Sequence, residues 1–393
     1  MTNCIKKRHS KGLFFLCLMA LVADKTLMAS DLLDRDPVAR KQSFTHPQFG
    51  TTFGISVFPV SNFVKDSHDR QDLWKPGASY YRHVVLPEEG IEIDKSYQKL
   101  DQLYRENHPN IACKYEVLMA KDEPSIPLIT HSIWLTNLDS PVELTDRFIG
   151  WFKDSCGLHL AKDGWKHYFW VQKKDKLPKT VKALEETGIE IRELESLEEG
   201  DFQSLKESFS NEISESRFGR ASDILRCVLL NKFGGIYRDI DFEMTRPFTG
   251  LALAYDFFAG IEFPYSYPCN AIMGCRPSHP IIGKMLEIIA RNYDSVKAPA
   301  YVKDSFRVGG ERLATLCLTG PIALGVALKS ILHSSGSIAF GQPIKKQPDG
   351  RKDRNIILPP EVFYTHGYGR DPCSFGWHAF AGTWLKSEFG SKG

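Results

Sequence analysis

The sequence predicts an α/β fold with a mainly parallel sheet, and three observations support this fold class. From residue 127 onward, short apolar segments alternate with segments of helical periodicity, a pattern typical of strands covered by helices. Near the centre, a helical segment, a glycine pair and another apolar segment follow one another directly. Hydrophobic residues make up 42% of the chain and aromatic residues 12%, which is enough to fill a substantial core.

The elements before the centre follow one another at short intervals. They are a strand at 129–135, a helix near 142–152, a strand at 168–171, a helix near 179–187 and a strand at 189–194. We interpret the charged stretch 195–215 as solvated helix or loop, because runs of like charge are usually exposed. After the centre the pattern loosens, and the polar, glycine-containing segment 336–354 is interpreted as a loop that can close over a substrate.

The helix predicted just before the centre carries an acid and a base on one face. Its apolar residues recur at helical spacing: Ile224, Leu225, Val228 and Leu229. Asp223 and Arg226 are three residues apart, so they share a face and can point into one site. Gly234-Gly235 then ends the helix, because glycine adopts the left-handed conformation without steric cost.

An Asp-Ile-Asp sequence follows the glycine pair and is predicted to lie in a strand. Residues two apart in a strand project to the same side, so Asp239 and Asp241 face one way while Ile240 faces the core. Two converging carboxylates favour a hard cation such as magnesium or manganese. Such an ion leaves open positions for phosphate oxygens and acts as a Lewis acid on a departing diphosphate.

Neither the helix pair, Asp223 and Arg226, nor the acid pair, Asp239 and Asp241, indicates a functional site when it is taken alone. An Asp-x-Asp sequence is more often a solvated turn, and Asp34-Arg35-Asp36 is another instance in the same chain. The acid and base on the helix could form a surface ion pair worth roughly 0.3–0.5 kcal/mol. The order of helix, glycine pair and acids is what favours a functional site.

Other chemistries leave no motif in the sequence. It contains no phosphate loop, no His-Glu-x-x-His helix, no Cys-x-x-Cys pair and no Gly-x-Ser-x-Gly turn. Fifty basic and 48 acidic residues give a net charge of +2, so the overall charge indicates no nucleic-acid partner and no anionic membrane.

At these residues the sequence resembles the glycosyltransferase family defined by a sugar-binding region with a DXD motif. That family includes the yeast Golgi initiating mannosyltransferases and is related to the large clostridial glucosylating toxins. The further matching segments are Ile126-Pro127-Leu128-Ile129-Thr130-His131-Ser132-Ile133-Trp134, Asn270-Ala271-Ile272-Met273, Thr319-Gly320-Pro321 and His378-Ala379-Phe380-Ala381-Gly382-Thr383-Trp384. The resemblance covers roughly residues 126–388 and implies a glycosyltransferase A-type (GT-A) nucleotide-sugar-binding fold.

The resemblance implies a role for each matched residue. Trp134 would stack on the nucleotide base, although a buried strand tryptophan is an equal alternative. Asp223 and Arg226 would hold hydroxyls of the donor sugar. Asp239 would contact the ribose or sugar and bind the ion indirectly, and Asp241 would be the direct metal ligand.

The last matched segment departs from the family pattern. The family commonly has two adjacent histidines and a serine, whereas this chain keeps only His378 and has Ala379 and Thr383 in the other places. His378 would complete the metal shell or donate to a diphosphate oxygen. Thr383 and Trp384 would contact the diphosphate, and the matched Asn270 would also bind the nucleotide sugar.

The implied activity is transfer of a sugar from a nucleotide diphosphate to a protein or glycan acceptor with manganese or magnesium. A UDP-hexose is the first expectation for the donor and GDP-mannose the second, and the family precedent is retention of configuration. No general base is assigned, but Glu262 and Asp256 would be the first to test. The alternatives are a non-catalytic carbohydrate-binding protein and a metal-dependent sugar phosphotransferase.

The amino-terminal third is predicted to lie outside the catalytic domain. Residues 1–30 place basic residues before a short apolar run, as in a signal peptide, which predicts export. An uncleaved amino-terminal anchor, as in Golgi transferases, is the alternative, and only then would a membrane be a partner. Residues 31–125, with a helix expected near 93–108, form an accessory layer or an acceptor-addressing region, and the catalytic domain spans 126–388.

The nine cysteines match no zinc or redox motif. Cys227 is interpreted as a small buried apolar residue of the central helix.

Overall fold

The computed structural model describes residues 41–45, 52–56, 80–90, 124–159, 161–262, 268–335, 355–358, 360–364 and 374–382. The leader, the helix expected near 93–108 and the loop 336–354 lie outside the described residues, as do Thr383 and Trp384.

The described chain alternates strands and helices. The strands are β1 (Lys41–Thr45), β2 (Thr52–Ser56), β3 (Ile129–Trp134), β4 (Lys166–Val171), β5 (Glu190–Glu193), β6 (Gly235–Arg238), β7 (Phe242–Met244), β8 (Phe257–Ile261), β9 (Pro268–Cys275), β10 (Asn355–Leu358) and β11 (Gly376–His378). The α-helices are α1 (Leu86–Glu88), α2 (Asp146–Leu158), α3 (Pro178–Glu185), α4 (Lys206–Ser214), α5 (Phe218–Phe233), α6 (Thr249–Ala254), α7 (Pro280–Tyr293), α8 (Ala300–Leu318), α9 (Pro321–Ser335) and α10 (Pro360–Phe363).

Seven strands form one mixed sheet in the order β10-β8-β9-β6-β3-β4-β5. Strand β9 runs antiparallel to both of its neighbours, and every other pair is parallel. The predicted α/β class with a mainly parallel sheet is therefore confirmed, and it agrees with the GT-A-type fold that the sequence resemblance implies. Two small sheets, β1-β2 and β11-β7, complete the described strands.

Helix α5 packs across the centre of the sheet. Its predicted apolar face lies in the core, because Ile224, Leu225, Val228 and Leu229 are fully buried. Cys227 is also fully buried, as predicted, and the cysteines of the described residues are free.

Two expectations before the centre are corrected. The helix expected near 142–152 begins only at Asp146, because the preceding residues are extended and let Glu143 cap helix α3. The Glu143 carboxylate accepts from the Thr180 backbone N–H at 2.9 Å. In the acidic stretch, Glu212 is 3% exposed and accepts from the Tyr293 hydroxyl at 2.8 Å, so this acid belongs to the interior and not to the surface.

Residues 80–90 pack against helices α7 and α8. Arg291 donates to both carboxylate oxygens of Glu89 at 2.7 and 2.9 Å, and the Tyr301 backbone N–H donates to Glu88 at 2.8 Å. Tyr81 and Leu86 are buried in the same core. This part of the region 31–125 behaves as a packing layer, while the domain boundaries themselves stay a prediction.

No single helix of the described ranges is long and apolar enough to cross a bilayer. Helix α8 and Pro321–Ile331 pass the length and hydropathy criteria only together, as a pair bent by 51°.

Four histidines are buried in the neutral form. Burial lowers the pKa of His131 and of His279 to about 3 and the pKa of His167 to about 4. Burial also lowers the pKa of His159 well below its ordinary value. In the His131 ring, Nδ1 accepts from the Trp170 indole N–H at 3.2 Å. A proton on Nδ1 would remove this acceptor and bring two N–H donors face to face.

We therefore expect acid to destabilise the fold. In the unfolded chain these side chains titrate near pH 6.5, so unfolding takes up protons below that pH, and stability falls as the pH drops toward about 4. Each histidine contributes up to about 1.4 kcal/mol per pH unit to the slope of the free energy of unfolding against pH. Urea unfolding at about pH 7.5, 6.5 and 5.5 measures the effect, and His279→Gln should flatten the slope by roughly a quarter. A free energy of unfolding that is constant over this range would contradict the expectation.

Candidate active site

The predicted site residues lie at one edge of the large sheet. Parallel strands β3 and β6 are neighbours there, and the chain leaves β3 toward β4 on the other side. Ligands of open α/β sheets bind at such a change of direction, outside the carboxyl ends of the strands. Trp134 ends β3, and Asp239 directly follows β6.

The glycine pair between α5 and β6 is confirmed as the stop of the helix. Gly234 has φ +62° and Gly235 has φ +86°, a region that side chains rarely adopt. A Cβ on Gly234 would lie 2.6 Å from Pro277 Cδ, and one on Gly235 would lie 2.6 Å from the Ile129 carbonyl oxygen. Gly235 therefore lets β6 approach β3 closely, and Gly234 lets the end of α5 lie against the residues that end β9 and follow it.

The Asp-Ile-Asp sequence lies in a turn and not in a strand, which corrects the prediction. Strand β6 ends at Arg238, and the Phe242 backbone N–H donates to the Asp239 carbonyl at 3.3 Å, closing the turn. The chain must turn here because β7 leaves the large sheet and pairs with β11. Ile240 is 6% exposed and packs in a second hydrophobic cluster, as predicted for this residue.

The turn still brings both acids to one point, where they meet His378 of β11. His378 Nε2 lies 3.1 Å from Asp241 Oδ1 and 3.4 Å from Asp239 Oδ2. One ligand atom from each of the three residues lies within 4.8 Å of the others. Three possible ligand atoms this close together could hold one small divalent cation, and the two carboxylates supply the oxygen ligands that such a cation prefers.

A loop that follows β11 wraps Asp241. The Ala379 backbone N–H donates to the Asp241 carbonyl at 2.9 Å, and the Ala381 backbone N–H donates to Asp241 Oδ2 at 2.8 Å. Phe380 between them has φ +50°, an unusual backbone conformation for a residue with a side chain. Such strain at a ligand site is consistent with a geometry that the surrounding contacts impose.

The hydrogen bonds of His378 determine which ring nitrogen carries a proton. Burial alone would lower the pKa of His378, but Asp239 and Asp241 raise it to about 10. The Phe380 backbone N–H points to His378 Nδ1 at 3.2 Å, so in the neutral ring Nδ1 accepts and Nε2 carries the proton. Nε2 is buried and faces the two carboxylates at ion-pair distance without a hydrogen bond of good geometry.

Asp223 is held by three partners. Its Oδ1 accepts from Asn270 Nδ2 at 2.8 Å and lies 3.1 Å from Arg226 Nη2, and its Oδ2 accepts from the Thr319 hydroxyl at 2.9 Å. The side chain is nearly buried, with 6% of the residue exposed. Burial raises the pKa of Asp223 above its ordinary value, an effect that Arg226 and Thr319 offset only in part.

Arg226 links the two groups of acids. Its N–H groups point to the Ser222 carbonyl and hydroxyl oxygens at 3.3 and 3.4 Å, the Asn270 carbonyl at 2.8 Å, Asp223 Oδ1 at 3.1 Å and Asp239 Oδ1 at 3.4 Å. The Tyr237 ring covers the guanidinium at 4.4 Å, and its hydroxyl donates to Asp239 Oδ1 at 2.6 Å. The contacts to Ser222 and Asn270 are hydrogen bonds, whereas Asp223 and Asp239 lie at ion-pair distance from the guanidinium.

Arg226 and His378 also keep Asp239 ionised. Burial alone would raise the pKa of Asp239, but the charge of Arg226 and the contacts with His378 and Tyr237 hold it below its ordinary value.

Trp134 packs near the acid turn through a shared hydrophobic cluster. Its indole N–H donates to the Val142 carbonyl at 2.7 Å, and the half-buried ring packs against the second hydrophobic cluster, which also contains Ile240. Its position at the end of β3 is the predicted one, and its contact with a base stays a prediction.

Glu262 and Asp256, the two acids named as possible general bases, lie at opposite edges of the large sheet. Strand β8 runs in the same direction as β6, because both are antiparallel to β9. Glu262 follows the carboxyl end of β8 and lies on the site's edge of the sheet, whereas Asp256 precedes β8 at the opposite edge. The geometry therefore keeps only Glu262 near the site.

Two residues of the site were not predicted. Tyr237 stands two positions before Asp239, and strand alternation alone would have placed it on the same side. Thr319 belongs to the matched segment Thr319-Gly320-Pro321, to which no role was assigned, and its contact with Asp223 spans 96 positions.

Comparison with known proteins supports the resemblance seen in the motifs. Residues 80–258 match the family model described as "Glycosyltransferase sugar-binding region containing DXD motif". "Subversion of eukaryotic traffic protein A" of Legionella pneumophila is 29% identical over 183 residues, which cover 43% of this chain and 27% of that protein. "Toxin Afp18" of Yersinia ruckeri is 30% identical over 91 residues, which cover 22% of this chain and 4% of the toxin.

A solved structure titled "PaToxG Glycosyltransferase" has 20% sequence identity and a TM-score of 0.43, and covers 61% of this chain and 81% of that chain. The chain thus spans about a quarter or less of the curated relatives it matches. The predicted family resemblance is confirmed by the family-model match, which contains the helix, the glycine pair and the acid turn.

Proposed function

We propose, from this family resemblance and from the geometry of the site, that the chain is a divalent-metal-dependent glycosyltransferase. It moves a hexose from a nucleotide diphosphate to a protein or glycan acceptor, with retention of configuration. A UDP-hexose is the first donor and GDP-mannose the second, and manganese or magnesium is the ion.

The convergence of Asp239, Asp241 and His378 beside the Asp223–Arg226 pair carries this proposal. Together they form a buried charged cluster at the carboxyl edge of the sheet, where a phosphate-bearing ligand would meet the acids. A bound cation would neutralise charge on the departing diphosphate. Asp241, fixed by Ala381, is the proposed direct ligand, and Asp239 is the proposed indirect one.

The contacts of Asp223 and Arg226 divide the roles that the family resemblance implies for the pair. Arg226 donates to the Asn270 carbonyl and lies at ion-pair distance from Asp223 and Asp239, so its proposed role is to balance the charges of these two acids and to fix their spacing. Asp223 keeps capacity to accept a hydrogen bond, so we assign it to a hydroxyl of the donor sugar. Asn270 holds both residues by its side chain and its carbonyl group.

His378 is proposed to assist the acids as an Nε2–H donor. Direct ligation would require the proton to move to Nδ1 and would break the bond from the Phe380 backbone N–H. We expect the electron spin-echo envelope of manganese-loaded protein to show no directly coupled imidazole nitrogen. A coupling that disappears in His378→Gln would instead make His378 the third ligand.

The acceptor and the place of action are proposed from the relatives. The names of two relatives mark one as a toxin and one as a protein that subverts eukaryotic traffic. We propose that this chain is exported from its cell through its amino-terminal segment and glycosylates a molecule of another organism.

A panel of nucleotide sugars tests the proposed function. With manganese and no acceptor, we expect release of free sugar and nucleoside diphosphate from one or a few donors, because water then takes the place of the acceptor. Chromatography of the products without and with manganese measures this release, and the preferred donor is identified in the same assay.

Two other outcomes of the same assay would contradict the proposal. Phosphorylated sugar with nucleoside monophosphate would indicate a phosphotransferase. Donor or sugar binding in calorimetry without turnover would indicate a carbohydrate-binding protein.

A further inference from the structure

Thr319 directly follows helix α8 and contacts the proposed sugar-binding acid. Thr319 is fully buried, and its hydroxyl donates to Asp223 Oδ2 at 2.9 Å. A second contact of the same hydroxyl, to the Thr315 carbonyl, is longer at 3.4 Å. The Asp223 bond is therefore the shorter and principal one.

The partners of Asp223 leave little of its hydrogen-bonding capacity unused. An ionised carboxylate has about four lone-pair positions. Asn270 and Arg226 occupy positions on Oδ1, and Thr319 occupies one on Oδ2. The remaining capacity lies on Oδ2, so Thr319 fixes the direction in which Asp223 can accept a further hydrogen bond.

We propose that Thr319 is a positioning residue that aims Asp223 Oδ2 at one hydroxyl of the donor sugar and so sets the sugar preference of the enzyme. This inference rests on the proposed glycosyltransferase function. Arg226 contacts Oδ1 of Asp223, whereas Thr319 is the hydrogen-bond partner of Oδ2. Discrimination between donors that differ at that hydroxyl then depends on the Asp223–Thr319 pair.

The backbone around Thr319 leaves little room for Asp223 to move. A Cβ on Gly320 would lie 3.3 Å from Asp223 Oδ2 and 3.1 Å from the Thr315 carbonyl oxygen. Glycine at this position therefore lets the end of α8 approach the acid, and any side chain there would press on Oδ2.

Thr315, one helical turn before Thr319, offers a matched control at the contact between α8 and α5. The Thr315 hydroxyl accepts from Arg220 Nε at 3.0 Å, and Arg220 precedes Asp223 by one turn of α5. Thr315 and Thr319 thus join α8 to α5 by equivalent side-chain contacts, but only Thr319 reaches Asp223. A role in helix packing alone would make the two threonines equivalent, whereas a positioning role would not.

The test compares Thr319→Val, Thr319→Ser and Thr315→Val with the wild type. Each is assayed with the nucleotide sugar that the wild type turns over best and with the monodeoxy analogues of that donor. For Thr319→Val we expect kcat/KM on the full sugar to fall about 10- to 100-fold, since a hydrogen bond to a charged group is lost. One deoxy analogue should be turned over equally by the variant and the wild type.

The accompanying variants separate positioning from packing. Thr319→Ser should keep the preference, and Thr315→Val should keep kcat/KM within about threefold, because Asp223 retains its partner. Affinity for the nucleoside diphosphate alone should be unchanged in every variant, because that ligand lacks the sugar. Gly320→Ala, which crowds the same oxygen without removing the hydroxyl, provides a second route to the same loss if Thr319→Val does not fold.

A Thr319→Val enzyme with wild-type kcat/KM would overturn the inference, and so would an equal loss on every deoxy analogue. A wild-type protein that cleaves no nucleotide sugar would overturn the proposed function instead. The two failures are therefore distinguishable in one set of assays.

Discussion

Asp241→Asn is expected to lower nucleotide-sugar cleavage by about 1000-fold or more, because the proposed metal ligand loses its charge. Asparagine keeps the size of the side chain and an oxygen that can accept from the Ala381 backbone N–H, so the loop after β11 should stay in place. The release of nucleoside diphosphate at saturating manganese measures the effect. Circular dichroism and thermal unfolding check that the variant is folded.

Two comparisons make this expectation specific. Asp239→Asn should cost less than Asp241→Asn, because Asp239 is also held by Tyr237 and Arg226 and is the proposed indirect ligand. The paired change Asp34→Asn and Asp36→Asn removes the other Asp-x-Asp sequence of the chain and should leave the rate unchanged. A folded Asp241→Asn protein with more than about a tenth of the wild-type rate would contradict a charge-dependent role for this acid.

Arg226→Met is expected to damage both stability and activity, because it leaves the buried Asp223 and the partly exposed Asp239 without their cationic partner. Asp223 is nearly buried, and Asp239 would lose its cationic partner at 3.4 Å. Removing one member of a buried charge network typically costs about 3–5 kcal/mol. We expect a loss of this size in urea unfolding and a loss of about 100-fold or more in kcat/KM.

Arg226→Lys and Arg192→Met are the control variants for Arg226→Met. Lysine keeps the charge but not the planar fork that joins Asp223 to Asp239, so we expect partial rescue of stability and little rescue of activity. Arg192 also covers an aromatic ring, that of Tyr168 at 3.7 Å, but its ion pair with Glu190 lies at the surface. Arg192→Met should therefore cost no more than about 1 kcal/mol. Equal effects of the two methionine variants would contradict the linking role of Arg226.

The local features of the site were predictable because they depend on neighbouring residues. Helical spacing placed Asp223 and Arg226 on one face, and the structure confirms the pair at 3.1 Å. The two glycines end the helix through their positive φ angles, as their residue type predicts. Alternation of strand and helix patterns gave the class of the sheet.

The remaining features depend on contacts that no local pattern records. The prediction of a strand through the acid pair was wrong, because β7 pairs with β11 and the chain turns after Arg238 to reach it. The bond from the Ala381 backbone N–H to Asp241 spans 140 positions. Likewise, Thr319 is recognisable as a partner of Asp223 only once α8 and α5 are packed together.

The account depends on a divalent ion held by Asp239 and Asp241 while a nucleotide sugar is cleaved. The most direct measurement is the consumption of the preferred nucleotide sugar by chelator-treated wild type and by the Asp239→Asn, Asp241→Asn double variant, each before and after manganese is added. We predict that manganese restores the treated wild type and leaves the double variant inactive. Undiminished consumption by the treated wild type or by the double variant would contradict the account.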